Sequence, residues 1–301
     1  MRKKRRVLNI SMSAQERRRF LLGLIFMAPF FMLMCIFKFY PIFQCIFQSF
    51  FQYQLSDLPG TFVGFSNYKA VLSSELFGTY FWNTIVLYAL HLLFYFTTTF
   101  FQALMLFQLK KTRKLARYFY IFPTGVTALA SISIWKYIWD PKSGLANFIT
   151  SRLGLGTFDW LYSEELVKFC IRFQGLLGGG MLVVIYLVTM NNIPVEQFEA
   201  AKMDGANGWQ IMRYITIPGF KNMVYIQFLL SLAGSLLAFG DVYLLTQGGP
   251  GFASTTLVLG AYNKAFREQN FGQAMAMSVI ILIFSLIITG VVNHILTRKE
   301  D

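Results

Sequence analysis

Long apolar runs alternate with short polar ones along the chain, and this alternation predicts helices that cross a lipid bilayer. A spanning helix needs about 20 mostly apolar residues. Six stretches qualify, at about 20–47, 83–107, 115–139, 172–190, 221–245 and 273–296. Lys38 and Pro41 interrupt the first, which leaves its end open. Gly178, Gly179 and Gly180 weaken the fourth, because glycine lowers helix propensity. The stretch FLLGLIFMAPFFMLMCIF (20–37) follows a basic segment, as in the first part of a signal peptide. It runs into KFYP with no small-residue cleavage site, so it reads as an uncleaved anchor and first span.

Composition strengthens this picture. The 301 residues are 55% hydrophobic and 18% aromatic, and only 14% are charged, whereas a soluble domain carries about 25% charged residues. A net charge of +13 raises the question of nucleic acid, and the placement of the charge answers it. Of the 27 basic residues, 18 fall within 1–19, 108–117, 191–221 and 297–301. Cytoplasmic loops carry such an excess, so both termini are expected in the cytoplasm and no nucleic-acid partner is expected. An even number of spans agrees. The expected organisation is all-α integral membrane: a basic segment 1–19, six transmembrane helices within 20–297, and a cytoplasmic loop 191–219 between the fourth and fifth. Cys35, Cys45 and Cys170 have no metal-ligand spacing, and His91 and His294 stand far apart, so no metal site is expected.

The loop has its own pattern. Asn191 and Asn192 precede Pro194, which suits a first helical turn, and Glu196 suits the positive end of the helix dipole. Phe198, Ala201 and Met203 offer apolar contacts, and Ala200 and Ala201 leave a slim surface. Gly205 fits the left-handed position that ends a helix. Asn207 and Gln210 read as a capping box for a second helix, GWQIMRYITI, and Pro218 suits a turn into the fifth span. The loop is thus a helix–glycine–helix elbow. From the residues alone it either lies on the membrane or fills a groove on a partner.

The string EAAKMDGANGWQIMRYITIP (199–218) resembles the E-A-A-x-x-D-G-A…I-x-x-P signature of membrane subunits of binding-protein-dependent ABC importers. It is most similar to the sugar-permease branch, which includes the maltose-transporter membrane subunits. Other fragments agree in order: FSNYKAVL (65–72), FWNT (81–84), GLANFITSRLGLGTFDWL (144–161), IPVEQFEAA (193–201), LLTQGGP (244–250) and AFREQNFGQAMAMS (265–278). The resemblance implies a type I importer fold in a bacterial-type inner membrane. It implies a second, homologous permease subunit (usually a different one), two cytoplasmic ATPases and an extracellular solute-binding protein. It makes the elbow the coupling helix that docks on the ATPase, through Glu199, Ala200, Ala201, Asp204, Gly205 and Ala206. The chain contains no Gly-Lys dipeptide and so no phosphate-binding loop; ATP is expected on the partner, with no cofactor here and no enzyme activity of its own.

Polar and small residues inside spans suggest where a solute passes. Ser231 and Ser235 lie four apart on one helix face, Gln174 and Gly178 share another with Met181 one turn on, and Thr124 follows Pro123. Helix packing in lipid uses the same residue types. Counted without gaps from Glu199, the sugar-lining positions of the maltose-transporter pattern fall on Gln174, Gly178, Met181, Ser231 and Ser235. Met181, Gly234, Ser235 and Ala238 replace aromatic and asparagine positions there, which implies a roomier, less aromatic cavity and a sugar other than maltose. Asp241, near the outer end of the fifth span, could meet a solute, but a helix cap or an ion pair with the partner subunit is the first expectation. The turn 248–250 and the loop 140–167 are expected to face outward, toward the binding protein. The alternatives are the same machine carrying another solute such as glycerol phosphate, which needs a cationic cluster, or an ion-coupled carrier, which needs intramembrane acids or paired broken helices.

Overall fold

The first apolar segment exposes hydrophobic side chains along its whole length. In the computed structural model, which describes residues 14–53, 60–109, 113–177 and 179–297, it forms one helix from Arg17 to Gln48. The expected interruption at Lys38 and Pro41 does not occur. A π turn at Cys35–Phe39 leads into the proline, and the Tyr40 amide reaches back five residues to the Cys35 carbonyl. The wider turn makes room for a ring that would otherwise crowd the preceding carbonyl.

The same device operates at Pro218, where a turn was expected. The elbow's second helix and the fifth span are one helix, Gly208–Leu236. A π turn at Met212–Thr216 precedes the proline, and the Ile217 amide bonds to the Met212 carbonyl. The other two unbroken apolar helices are Glu75–Gln108 and Phe271–Leu296.

The remaining segments break. Residues 115–139, expected as one span, divide into Arg113–Ile121 and Ala128–Ile138 around a 3-10 turn at Phe122–Gly125. Pro123 lacks the amide that would continue the first helix, and Thr127 caps the second by accepting from the Ala130 amide at 3.3 Å. The weakness expected at the triple glycine is a 43° bend between Val167–Leu177 and Gly180–Asn191, with Gly179 at φ 90°. The fifth helix bends by 44° between Leu236 and Gly240, entering a short continuation, Gly240–Thr246.

Packing is organised in layers along the bundle. One core joins Leu104, Tyr186, Met190 and Phe220 from the second, fourth and fifth segments. A second joins Leu87, Ile171, Val242 and Leu259. Leu257–Phe266 lies against the final helix, Phe271–Thr297, with Tyr80 and Met277 in the core between them.

Buried asparagines tie the connecting loops to these helices. Asn83 donates to the carbonyls of Phe252 and Thr255 at 2.9 and 3.0 Å. Asn147 donates to the carbonyls of Pro141 and Phe158 and accepts from the Phe158 amide and the Trp160 indole. A two-stranded ribbon pairs Phe51 with Phe62 antiparallel, and Asn67 donates to Ser49 and Phe51 beside it. Buried amides must be satisfied, and the FSNY, FWNT and GLANF fragments supply the side chains that do so.

Candidate functional site

Two regions carry the residues expected to act, and they lie at different levels of the bundle. The first is the elbow. Its leading helix is Val195–Met203, with Pro194 just outside as N-cap at ψ 134° rather than within the first turn. Gly205 sits at φ 77°. Its amide donates to the Lys202 carbonyl at 3.0 Å, and the Ala206 amide donates to that of Ala201 at 2.9 Å. Those two bonds make the Schellman closure that glycine at this position permits. Asn207 and Gln210 form the capping box, each accepting from the other's amide, at 2.9 and 2.7 Å.

The elbow's base is fixed and its tip is bare. Phe198 packs on Phe107, and buried Ile193 presses on Gly219, where an added Cβ would lie 2.6 Å from Ile193 Cδ1. Glu199, Ala200, Asp204 and Gly205 are exposed, and Ala201 and Ala206 are half-buried. Nothing lies within 4 Å of a Cβ placed on Gly205. Met203, expected to provide an apolar contact, is 88% exposed, and Trp209 is 60% exposed. The helix turns its small and acidic face outward together with these two large apolar side chains. Such a surface suits a protein groove better than water.

The second region is a cavity of about 550 Å³ between the second, fourth and fifth segments. Met181, Ser231 and Ser235 line it, as do Gly234 and Ala238. Gln174 does not. Its amide donates to the Ile171 carbonyl at 2.9 Å, and its side chain lines a neighbouring cavity with Gln102 and Trp135. Gly178 lies outside the described residues. Thr124 falls in the 3-10 turn at Phe122–Gly125, and its side chain is likewise outside them.

The cavity gathers polar residues that the sequence did not single out. His91 Nε2 lies 3.0 Å from Ser231 Oγ, and the imidazole stacks on Tyr95. Arg172 donates through Nη1 to Asp241 Oδ2 at 3.0 Å. Asp241 is thus paired within its own chain, between the fourth and fifth helices, and does not serve as the helix cap. It lies in the first turn of Gly240–Thr246, whose N-cap is Phe239. Tyr95 and Phe239 give the cavity aromatic walls, so it is less bare than the substitutions suggested. Arg172 is also a cation beside the cavity, though a single one rather than the cluster that a phosphate solute would need. Its position inside an apolar run was the available signal, since a charge at membrane depth rarely lacks a role.

The family model for the binding-protein-dependent transport system inner membrane component matches residues 106–301. The chain belongs to this family. It is therefore an inner-membrane translocation component. Over 268 residues it is 28% identical to a probable ABC transporter permease of Pyrococcus horikoshii, covering 88% of this chain and 92% of the relative. It is also 28% identical to the arabinooligosaccharides transport system permease protein AraP of Bacillus subtilis, covering 88% and 85% of the two chains. Among solved structures, its fold is similar to a chain of a bacterial ABC transporter that imports the acidic polysaccharide alginate. The TM-score is 0.82 at 22% identity, over 94% of this chain and 96% of the other.

Proposed function

We propose that this inner-membrane component is the permease subunit of an ATP-driven importer for a sugar or oligosaccharide. In this reading the chain crosses the membrane six times, with both termini and the elbow in the cytoplasm. It pairs with a second permease, and two separate ATPases drive it through residues 193–219. An extracellular binding protein delivers the solute at the outer face, near 140–167 and 248–250.

The elbow carries the proposal. Its rigid base, two closed helix ends and bare tip are the properties of a part that transmits force to a partner. A base locked by Ile193 against Gly219 passes displacement of the tip directly into Gly208–Leu236. That helix carries Ser231 and Ser235 into the cavity. Movement of the ATPase is thereby felt at the solute.

Two of the three proteins named above are described by a saccharide, arabinooligosaccharides for one and alginate for the other, which supports a saccharide here. Broken fourth and fifth helices also occur in ion-coupled carriers, but an elbow built for a partner has no use in a machine without an ATPase. The test is Gly205→Arg. The site has open space around it, so the permease should still assemble with its partner permease. Co-purification of the ATPase and ATP-dependent sugar uptake in proteoliposomes should both be lost. Uptake at the unaltered rate, or transport by the chain without any ATPase, would overturn the proposal.

A further inference from the structure

The ion pair in the cavity is asymmetric. The Arg172 side chain is 6% exposed and that of Asp241 42%. Arg172 gives Nη1 to the carboxylate, while Nε and Nη2 are buried without a partner among the described residues. Arg172 lines the cavity too, but most of its guanidinium is covered, whereas the carboxylate is widely exposed. What a molecule in the cavity meets is the carboxylate, with the cation behind it.

A carboxylate only accepts hydrogen bonds. Oδ2 is engaged by Arg172, and Oδ1 makes no hydrogen bond among the described residues. The bond from Nη1 anchors the carboxylate through Oδ2 and leaves the other oxygen as an acceptor. Hydroxyl groups are the matching donors. A carboxylate, sulfonate or phosphate on the solute would instead face a like charge, and like charges brought together reject a partner. Apart from the Arg172–Asp241 pair, the wall offers the polar side chains of Gln227, Ser231 and Ser235, with Phe239 as an aromatic face. His91 is engaged with Ser231 and Tyr95.

We propose that Asp241, held by Arg172, is the specificity-determining residue that commits this cavity to neutral, hydroxyl-rich saccharides and against acidic ones. Asp241 contacts the solute, and Arg172 is a positioning residue. The proposal rests on the reading of the cavity as the solute's passage.

The experiment uses the purified complex of this chain with its partner permease and ATPases. Thermal stabilisation at millimolar sugar reports binding, because a ligand of the folded state raises its stability. The probes are neutral trisaccharides (arabinotriose, maltotriose and triacetylchitotriose) and, as the acid of matched length, trigalacturonate. The wild type should bind at least one neutral trisaccharide and not trigalacturonate. Asp241→Asn should weaken the neutral ligand about tenfold or more, the loss expected for a hydrogen bond to a charged group. It should also admit trigalacturonate, because Arg172 is then uncompensated. Asp241→Glu should keep the rejection of the acid.

If Asp241→Asn does not assemble, the double variant Arg172→Gln with Asp241→Asn removes both charges. It should weaken the neutral ligand without admitting the acid, and this shift in selectivity is one that a merely structural pair would not produce. Trigalacturonate binding to the wild type as tightly as any neutral sugar would overturn the proposal. So would unchanged neutral affinity in both Asn-bearing variants. Binding of no saccharide of either class would overturn the reading of the cavity as a sugar passage, and the proposal with it.

Discussion

The elbow and the cavity are built by opposite means. Residues 194–210 make the elbow almost entirely from local bonds, each closing within five residues. The cavity's two key contacts join residues 140 and 69 positions apart. The elbow is bare at its tip, and its shape survives there because caps and a left-handed glycine hold it without tertiary support. The cavity holds a buried charge that has no meaning without its counter-ion. An exposed elbow can be specified locally, whereas an enclosed cavity must be assembled.

The difference can be tested by substitution, and the cavity should suffer most. Asp241→Ala leaves Arg172 buried and unpaired, and breaking such a pair costs about 3–5 kcal/mol. A large drop in Tm of the detergent-purified permease is expected. The double variant Arg172→Gln with Asp241→Asn should be clearly more stable than that single change. Equal Tm values would show that the pair does not matter to folding.

At the elbow, base and tip should respond differently to the same substitution. Gly219→Leu pushes into Ile193, and overpacking of this kind costs about 1–3 kcal/mol. Gly205→Leu meets no atom and carries only the left-handed strain, about 1–2 kcal/mol. Gly219→Leu should therefore loosen the joint to the fifth helix, seen as faster hydrogen exchange around Ile193, and Gly205→Leu should not.

Asn207→Ala removes one capping bond, worth about 1 kcal/mol. Exchange should speed up at the Gln210 amide while the cavity is untouched.

The smallest effect belongs to the outer turn at Asp140. The Ser143 amide and hydroxyl, followed by the Lys142 amide, hold its carboxylate below the ordinary value. A depressed value means that the stabilisation is present above the usual carboxylate range and is lost as pH falls through the folded-state value. Exchange at the Lys142 and Ser143 amides should therefore rise only in acid, and Asp140→Asn should remove that pH dependence.

Much of the fold was legible in the chain because lipid imposes a simple rule. Backbone groups in hydrocarbon must bond internally, so a long apolar run becomes a helix. The elbow was legible because caps and glycine turns are written in adjacent residues: Gly205, Asn207 and Gln210 behave as their positions foretold. Pro218 was misread as a turn, and Pro41 left the end of the first span open, because a π turn upstream absorbs each ring and leaves no mark in the sequence.

Helix-face arithmetic brought Ser231, Ser235 and Met181 to one cavity but sent Gln174 to another. The break at Gly179 changes the direction of the helix between Gln174 and Met181, so residues on either side of it no longer share a face. By itself the sequence determined a membrane-embedded helical chain and a local elbow, because apolar length and capping chemistry act over neighbouring residues. Only the tertiary structure decided that His91 meets Ser231 and that Arg172 stands behind Asp241. Those pairings depend on how three separate helices, two of them bent, are packed together, and no local pattern encodes that.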